Sequence, residues 1–524
     1  MVAHGEFCTI VEENNYKNYV ESIDTKLTPI QKFYTGVNVL VTGSTGFLGK
    51  TLVEKLLRSC PTVSSLYLVI RSKKGKCMEE RLDELFDDVL FSRLKKECPK
   101  FRHKVIGIEG DCALPELGLD MQDKRLLVDE ISVIFHVAAT VRFDEKLKTA
   151  AAINVRSVRD LLKLSKEMVN LKAFMYVSTL YANCPELTIE EKIYQSPIDG
   201  DKLILMAENL PDNVLNDVTN ALLGKYPNTY TFTKQISENV ISKTGQNLPV
   251  GIFRPAIVVS TYKEPIEAWI SNLYGPTGVC AGAGTGVLRT LHCDPHANAN
   301  LVPVDMCVNS LIASAWEVGD MYQKALQQKS SFEIPVYNYE SSNDNPIDWG
   351  TFMYLSQKSG LKTPTSKAIW YYFFGLYKNY YHYLVATFLF HTMPAIVADV
   401  VMFCMGKTPQ MSKVYKKIHK FSDVISYFAT RSWKIQSARV HQLISKMSGE
   451  DQDLFFCDLR KLDWNEFYLS YLRGVRVYLL KDPMDTLPQA RKRWSRLYAA
   501  HQVTKALVFL LLLRLAWMLL RMMV

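Results

Sequence analysis

The chain has 524 residues, of which 48% are hydrophobic and 22% charged. This composition excludes a disordered, a fibrous and a many-span membrane protein, and the length predicts about three structural units. The formal net charge is +9, but residues 411–524 carry 20 basic and 9 acidic side chains, whereas residues 1–410 carry 42 and 44. The surplus positive charge therefore belongs to the last fifth of the chain, which indicates a partner surface there.

Residues 1–34 predict a flexible polar segment. They contain several acidic residues and no apolar run of about 7–15 residues, so neither a secretory signal nor a transit peptide is expected. Eleven cysteines are scattered between Cys8 and Cys457 without a Cys-x-x-Cys pair. That pattern favours reduced thiols in a compartment that faces the cytosol.

Apolar strands alternate with helical patterns over residues 35–350. This alternation predicts an α/β fold, a Rossmann-like doubly wound parallel sheet. Helices are predicted at residues 50–57 and 153–168. The predicted strands lie at residues 36–42, 65–70, 105–108, 132–137, 173–178 and 250–254.

Beyond residue 360 the pattern becomes aromatic and helical, which predicts a smaller all-helical C-terminal domain at residues 360–465. Residues 384–405 are long enough to span a bilayer, but His391, Pro394 and Asp399 interrupt the apolar run. A helical hairpin that is buried or lies on a membrane surface fits this segment equally well.

The last 22 residues, 503–524, predict a terminal membrane anchor helix. At about 1.5 Å per residue they reach across a hydrocarbon layer of about 30 Å. Arg514 costs about 2.5–3.5 kcal/mol on insertion, which the eight apolar residues 506–513 offset. Basic residues at 491–496 and Lys505 precede the segment and favour anionic lipid on the cytosolic side. A helix packed on the protein itself is the alternative, whereas nucleic acid is not expected because no recognition motif accompanies the charge.

A strand, a glycine-rich loop and a helix at residues 36–57 match a dinucleotide-binding fingerprint. Gly43 permits the tight turn, Gly46 lets the backbone approach the pyrophosphate, and Gly49 lets helix and strand pack closely. A P-loop is the minor alternative, because its first glycine would have to sit at Ser44 and no clear Walker-B acid follows. The residues predicted to contact the cofactor are Gly43, Ser44, Thr45, Gly46, Phe47, Leu48 and Gly49.

The end of the second strand indicates which dinucleotide binds. An acidic residue there would bind a ribose 2′-hydroxyl, but Ile70 is followed by Arg71, then Lys73 and Lys74. A guanidinium suits a 2′-phosphate, so NADPH is the expected cofactor. A solvated basic loop is the alternative.

Tyr230 and Lys234 are four residues apart and therefore share one helix face. A lysine close to a phenol stabilises the phenolate and lowers the tyrosine pKa, which makes the tyrosine a usable proton donor. Tyr354 and Lys358 have the same spacing, but they lie in the transition toward the helical region and are interpreted as structural. Tyr230 instead follows the strand that ends near Val177, as a Rossmann reductase requires.

Three histidines are weighed as candidates and set aside. His292 and His296 flank Cys293 and Asp294, yet no complementary cluster accompanies them, so an ordinary loop is favoured over a metal site. His136 is interpreted as a strand residue near the cofactor. No metal is predicted.

Together these motifs resemble those of the fatty acyl-CoA reductases, which are similar to extended short-chain dehydrogenases/reductases and carry a C-terminal male-sterility region. The resemblance covers residues 35–500. The motifs that carry it include Val41-Thr-Gly-Ser-Thr-Gly-Phe-Leu-Gly-Lys50, His136-Val-Ala-Ala-Thr-Val-Arg-Phe143, Val177-Ser-Thr179, Tyr230-x-x-x-Lys234, Arg254-Pro255, Asn300-Leu-Val-Pro-Val-Asp305 and Asn345-Pro-Ile-x-Trp349.

The resemblance implies an NADPH-dependent reduction of long-chain acyl-CoA to a primary alcohol, by two hydride transfers through an aldehyde-level intermediate. It implies that Tyr230 donates the proton, that Lys234 holds the ribose and tunes Tyr230, and that Thr179, with Ser178 beside it, hydrogen-bonds the carbonyl oxygen. Donors aimed at that oxygen stabilise the charge it gains during hydride transfer. The further cofactor contacts it implies are Asp111 on the adenine side, Ala138, Ala139, Thr140 and Pro255.

One residue departs from the family pattern, because Leu180 follows Thr179 where a small residue is more usual. This affects the expected fit of the substrate near the nicotinamide. The alternatives to an acyl-CoA reductase are a 3β-hydroxysteroid dehydrogenase, a nucleotide-sugar epimerase and a non-catalytic membrane or lipid-droplet scaffold. The expected location is the cytosolic face of the endoplasmic reticulum, the peroxisome or the lipid droplet.

Overall fold

A seven-stranded, wholly parallel sheet forms the centre of the structure, a computed structural model that describes residues 27–523. Its strands are β1 (Asn38–Thr42), β2 (Ser65–Ile70), β3 (Val105–Glu109), β4 (Val133–His136), β5 (Ala173–Val177), β7 (Val250–Pro255) and β11 (Val336–Tyr339). They lie in the order β11-β7-β5-β4-β1-β2-β3. The strand order reverses between β1 and β4, which places a ligand crevice at the carboxyl ends of those strands.

The sequence pattern predicted six of these seven strands, and the Rossmann-like fold is confirmed. The predicted strands are apolar over almost their whole length because helices cover both faces of a parallel sheet. Strand β11 was not predicted, since Val-Tyr-Asn-Tyr is short and carries a polar residue at Asn338. Paired short strands lie outside the sheet: β6 (Thr188–Ile189) with β13 (Lys434–Ile435), β8 (Ile257–Val259) with β10 (Leu301–Pro303), and β9 (Thr290–His292) with β12 (Gly375–Tyr377).

Helices surround the sheet and continue to the end of the described chain. The α-helices are α1 (Pro29–Phe33), α2 (Phe47–Ser59), α3 (Met78–Phe86), α4 (Ser92–Glu97), α5 (Met121–Glu130), α6 (Leu147–Ala150), α7 (Ser157–Ser165), α8 (Gly200–Asn209), α9 (Asp212–Leu223), α10 (Thr229–Thr244), α11 (Gly275–Gly284), α12 (Val304–Gln327), α13 (Trp349–Gly360), α14 (Tyr380–Thr387), α15 (Met393–Cys404), α16 (Met411–Ala429), α17 (Ala438–Lys446), α18 (Gly449–Leu454), α19 (Trp464–Gly474) and α20 (Leu487–Met523). The helix predicted at 153–168 begins earlier, because a π-helical turn, Ala151–Arg156, joins α6 to α7.

Two hydrophobic clusters cover the two faces of the sheet. One contains Leu161 and Leu162 of α7 and Phe232 and Ile236 of α10. The other contains apolar residues of α2 and α12 and extends without a break into α17 and α19. The helical region beyond residue 360 thus shares its core with one face of the sheet.

The N-terminal segment is folded from residue 28 onward, which corrects the prediction of a flexible lead-in up to residue 34. Thr28 caps α1 by accepting a hydrogen bond from the Gln31 amide at 3.3 Å. Ile30 and Tyr34 are fully buried, and the Tyr34 hydroxyl donates to the Ile312 carbonyl at 2.9 Å. The rest of that prediction, and Cys8, lie outside the described residues. The ten cysteines among residues 27–523 are free thiols.

The segment predicted at 384–405 is one continuous helix over Tyr380–Cys404, in which a π-helical turn at Phe388–Thr392 joins α14 to α15. We call it the apolar helix. Each polar interruption has a local role: Pro394 lies in the first turn of α15, and the buried His391 accepts a hydrogen bond from the Arg289 amide at 2.8 Å. Asp399 accepts from the first two amides of α16, of Met411 and Ser412, at 2.7 and 2.9 Å. Most of the apolar side chains of this helix are exposed.

Helix α20 contains the predicted anchor segment, and all its side chains from residue 502 to 523 are exposed. The apolar helix and Met484–Met523 are the two stretches among residues 27–523 that are long and apolar enough to cross a membrane. Residue 524 lies outside the described chain.

Candidate active site

A cavity of about 1430 Å³ opens at the carboxyl ends of the sheet strands, where the strand order predicts a ligand crevice. The loops after β1, β2, β3, β4, β5 and β7 form its floor, and one face of α16 together with part of α13 forms its roof. The residues predicted as site residues that line it are Gly43, Thr45, Gly46, Phe47, Leu48, Gly49, Arg71, Asp111, Ala138, Ala139, Thr140, Ser178, Thr179, Tyr230, Lys234 and Pro255.

The glycine-rich loop can be built only with glycine at two of its positions. Gly43 has φ +74°, and a Cβ there would lie 2.7 Å from the Ala138 amide nitrogen. A Cβ on Gly49 would lie 2.1 Å from the Gly43 carbonyl oxygen. This close packing leaves the amides at the start of α2 facing the cavity, as a dinucleotide pyrophosphate requires. The loop therefore fits a dinucleotide.

Ser44 does not join the other loop residues at the cavity. Its side chain is fully buried, and within the described chain its hydroxyl has no hydrogen-bond partner. The prediction that Ser44 contacts the cofactor is therefore corrected for its side chain, because this tight loop turns the residue inward. The P-loop alternative also fails here, since Lys50 pairs with Asp88 at 2.7 Å and the sheet has the Rossmann strand order.

A cationic cluster lies at the end of β2. Arg71 is half-exposed and contacts Asp111 at 3.5 Å, and the guanidinium of Arg81 donates to the Arg71 carbonyl. The neighbouring charge of Arg71 lowers the pKa of Lys73, which shows how close these cations are. We call Arg71, Lys73 and Arg81 the β2 cluster. The sequence did not indicate Arg81 as a cofactor-binding candidate. It belongs to α3, and its only distinguishing feature is that it lies on the side of that helix that faces the cavity.

The loop after β4 is held by an asparagine from the π-helical turn. The Asn154 side chain accepts from the Thr140 amide at 2.9 Å and donates to the Thr233 hydroxyl of α10 at 2.9 Å. It thereby fixes Thr140, at the cavity wall, relative to the helix that carries Tyr230. Sequence analysis did not single out Asn154, because nothing in its local pattern distinguishes it.

His136 is a fully buried strand residue, as predicted. Its Nδ1 lies 2.8 Å from the Thr42 hydroxyl and its Nε2 lies 3.3 Å from the Ser157 hydroxyl. Burial, and secondarily the charge of Lys234, lowers its pKa to about 3, so the ring is neutral. Its hydrogen bonds to Thr42 and Ser157 connect β4 to β1 and to α7.

Tyr230 lies in the first turn of α10, where the capping side chain of Asn228 accepts from the Thr231 amide at 2.9 Å. Its ring stacks on Phe143 with 5.8 Å between centroids. Burial raises the pKa of Tyr230 to about 12, and a contact from the Thr179 hydroxyl partly opposes that rise. The phenol is therefore protonated at neutral pH and can donate a proton.

Lys234 lies one helical turn after Tyr230 but does not lower the tyrosine pKa in this structure, contrary to the prediction. Its amino group donates to the Val177 carbonyl at 2.6 Å and lies 4.6 Å from the centroid of the Tyr176 ring. Burial lowers the pKa of Lys234 to about 7, against a smaller opposing effect of Glu238. The sequence spacing correctly brings the two side chains to one cavity wall but does not fix where the ammonium points.

Ser178 and Thr179 have different surroundings. The Ser178 hydroxyl donates to Glu238 Oε1 at 2.5 Å, and Glu238 also forms a fully buried ion pair with Arg254 at 2.6 Å. This corrects the expectation that Ser178 stands beside Thr179 as a second partner of the substrate carbonyl, because its proton is already engaged. Thr179 lines the cavity next to Tyr230 and accepts only a long bond, 3.4 Å, from the Tyr181 amide.

Several other sequence candidates fall outside the cavity. Leu180 is fully buried and does not line it, so the departure from the family pattern does not touch the site. Tyr354 is 62% exposed on α13, and Lys358 is exposed beside it. His292 bonds to Ser426 and Lys378 while His296 is exposed, and residues 27–523 contain no group of three potential metal ligands.

The roof of the cavity was not predicted. One face of α16 contributes apolar side chains, and Phe428 packs against Phe143 and Tyr181 with 5.5 and 5.2 Å between ring centroids. Together with Leu291, Met353 and Leu376 these residues make the part of the cavity beyond Tyr230 apolar. The periodic apolar face of α16 was visible in the sequence, but not the surface on which it packs.

A Rossmann sheet with a glycine-rich loop, whose cavity also holds a tyrosine and a lysine one helical turn apart, defines a nicotinamide-dependent oxidoreductase. Two family models, both described as male sterility protein, match residues 41–311 and 390–482. Among solved structures, the chain is similar in fold to the reductase domain of a non-ribosomal peptide synthetase from Mycobacterium tuberculosis (TM-score 0.55, 16% identity, 85% of this chain and 92% of that one). It is also similar to the terminal reductase domain of the myxalamid pathway (TM-score 0.53, 18% identity, 86% and 93%).

Sequence relatives define the family more narrowly. The chain is 42% identical over 485 residues to "Fatty acyl-CoA reductase wat" of Drosophila melanogaster, and this alignment covers 92% of each chain. It is 40% identical over 473 residues to "Fatty acyl-CoA reductase 1" of Homo sapiens, and this alignment covers 90% of each chain. The chain belongs to the fatty acyl-CoA reductase family.

Proposed function

We propose that this protein reduces long-chain acyl-CoA to a primary alcohol with two equivalents of NADPH, releasing CoA. The observation that carries the proposal is the position of Tyr230 and Thr179 at the junction between a dinucleotide-binding loop and an apolar cavity. The first reduction gives a hemithioacetal that collapses to an aldehyde and the free thiol. The second gives the alcohol. The cofactor supplies a hydride to the carbonyl carbon in each round.

The protein's own residues act on the oxygen of the reacting carbonyl. Tyr230 is protonated, because its pKa is raised to about 12, so it donates to the oxygen as negative charge develops there. The Thr179 hydroxyl, which borders the same space, supplies a second hydrogen bond. Lys234 would hold the ribose from the cavity wall, where its ammonium also donates to the Val177 carbonyl, and its buried position makes such a bond stronger than in water.

Two features support the assignment of substrate and cofactor type. The apolar roof and wall formed by Phe428, Met353 and Leu376 suit a long acyl chain, which gains about 0.8 kcal/mol for each buried methylene group. The β2 cluster presents cations where the 2′-phosphate of NADPH would lie.

We further propose that α20 attaches the protein to a membrane with the sheet domain in the cytosol. Arg491, Lys492, Arg493 and Arg496 precede the exposed apolar stretch, as expected for a helix that enters from the cytosolic side. The endoplasmic reticulum, the peroxisome and the lipid droplet each offer such a surface.

The test of this function uses the full chain in detergent and the variant Tyr230→Phe. The wild type is expected to oxidise two NADPH for each thiol released from an acyl-CoA. The variant should lose at least about 100-fold in turnover, as for a lost general acid, while NADPH binding, measured by fluorescence, stays unchanged.

Tyr354→Phe is the matched control, because Tyr354 has the same spacing to a lysine but is exposed outside the cavity. It should behave as the wild type. Retained activity in Tyr230→Phe would overturn the assigned role. The absence of thiol release from acyl-CoA would instead favour a dehydrogenase or an epimerase of the same fold, because neither enzyme cleaves a thioester.

A further inference from the structure

The face of α16 that roofs the cavity changes character along its length. Lys417 and Lys420 come first on that face, and Phe421, Val424, Ile425 and Phe428 follow. Spacings of three and four residues place all six on one side of the helix. The roof is therefore cationic at its N-terminal end and apolar at its C-terminal end.

The apolar end lies over the catalytic centre. The Phe428 ring is 5.5 Å from the Phe143 ring, and Phe143 in turn stacks on Tyr230. The cationic end lies at the mouth, where Lys420 contacts Asp144 at 2.9 Å and Arg142 contacts the same carboxylate at 3.5 Å. The side chains of Arg142 and Lys420 are more than half exposed, so an anion in solution can reach them.

These cations are separate from the β2 cluster. The β2 cluster follows β2 on one side of β1, whereas Arg142 follows β4 on the other side of β1 and Lys417 belongs to the roof. One cavity thus has two cationic regions. A single dinucleotide accounts for the β2 cluster, which leaves the second region available to another anionic ligand.

The length of the roof fits one such ligand. Phe428 lies eleven positions after Lys417, which is about 16 Å along a helix at about 1.5 Å per residue. The pantetheine arm of CoA, from its sulfur to its diphosphate, extends about 15 Å at standard bond lengths. An arm that runs along the roof from a thioester carbonyl at Tyr230 is therefore long enough to bring the phosphates of CoA to Lys417 and Lys420.

We propose that Arg142, Lys417 and Lys420 form the subsite for the phosphates of CoA, with the pantetheine arm running under α16. This inference rests on the proposed function. Asp144 positions Lys420 and Arg142 and gives up these contacts to the phosphates. The acyl chain then extends from Tyr230 into the rest of the apolar cavity.

The experiment compares two substrates with one acyl chain: acyl-CoA, and the corresponding S-acyl-pantetheine, which lacks the phosphates. In neutral detergent, the double variant Lys417→Ala/Lys420→Ala should raise KM for acyl-CoA about 10- to 100-fold, as expected for lost hydrogen bonds to charged groups. Its KM for S-acyl-pantetheine, its kcat and its NADPH affinity should stay unchanged. The control Lys413→Ala/Lys416→Ala changes two exposed lysines of the same helix that do not line the cavity, and it should leave both substrates unaffected.

An equal change for both thioesters, or no change for either, would overturn the subsite. A wild-type protein that releases thiol from neither substrate would overturn the proposed function itself, and the subsite with it.

Discussion

At the scale of single residues, Arg71 stands where a carboxylate would select the 2′-hydroxyl of NADH. Its guanidinium is half-exposed and lies 3.5 Å from the partly exposed Asp111 carboxylate, so it can bind a phosphate without breaking a buried ion pair. We expect Arg71→Ala to raise KM for NADPH about 10- to 100-fold, the usual effect of losing a hydrogen bond to a charged group. KM for NADH should change little, and initial rates with both cofactors measure the difference.

Arg93→Ala is the matched control for this prediction. The Arg93 side chain is as exposed as that of Arg71, at 43%, and it also pairs with carboxylates, but it lies outside the cavity. The control should leave both KM values unchanged. An equal rise for NADPH and NADH in Arg71→Ala would mean that this arginine only supports the loop.

At the scale of elements, the turn between β1 and α2 depends on backbone contact that no side chain can tolerate. A Cβ at Gly49 would lie 2.1 Å from the Gly43 carbonyl oxygen and 2.8 Å from its carbon, and backbone cannot rotate away as a side chain can. Gly49→Ala is therefore expected to destabilise the fold by about 1–3 kcal/mol, as overpacking does, and to abolish NADPH binding because α2 moves from the phosphates. Thermal unfolding and cofactor titration measure the two effects.

Gly449→Ala separates this effect from a general cost of alanine. Gly449 begins α18, and a Cβ there meets no atom within 4 Å. The melting temperature of the Gly449→Ala protein should therefore equal that of the wild type or be slightly higher. Should Gly49→Ala behave like Gly449→Ala, α2 would not pack against the loop as described.

The difference between local pattern and contacts between distant residues explains how much the sequence could predict. Six sheet strands, the glycine-rich loop and the placement of Tyr230 and Lys234 follow from local pattern, because periodicity and turn chemistry act over a few residues. The engagement of Ser178 by Glu238, the support from Asn154 and the roof formed by α16 depend on contacts between distant parts of the chain. Asn154 and Thr233, for example, are 79 residues apart. The direction of Lys234 was mispredicted for the same reason, since its partner is a backbone carbonyl at the end of β5.

At the scale of the whole molecule, the charge asymmetry coincides with exposed apolar surface. The basic residues at 491–496 lead into the exposed part of α20, and Lys413 and Lys416 of α16, which do not line the cavity, follow the apolar helix. Residues 1–410 are nearly neutral, with 42 basic and 44 acidic side chains, and the ligand sites proposed there use a few placed cations instead. The proposed membrane attachment accounts for both the surplus charge and the apolar surface that no other part of the described chain covers.

This arrangement predicts separable contributions of the two apolar segments to membrane binding. A chain that ends after residue 502 should become extractable from membranes by alkaline carbonate, because it lacks the spanning segment, yet retain turnover in detergent since that segment is remote from the cavity. Adding Val397→Glu and Val400→Glu, which are 60% and 57% exposed on the apolar helix, should then move the protein into the soluble fraction. Val169→Glu, at a 92% exposed position far from both segments in the sequence, is the control and should leave the truncated chain on the membrane. If the truncated chain still resists carbonate, α20 is not the anchor, and the apolar helix must itself insert deeply enough to hold the protein.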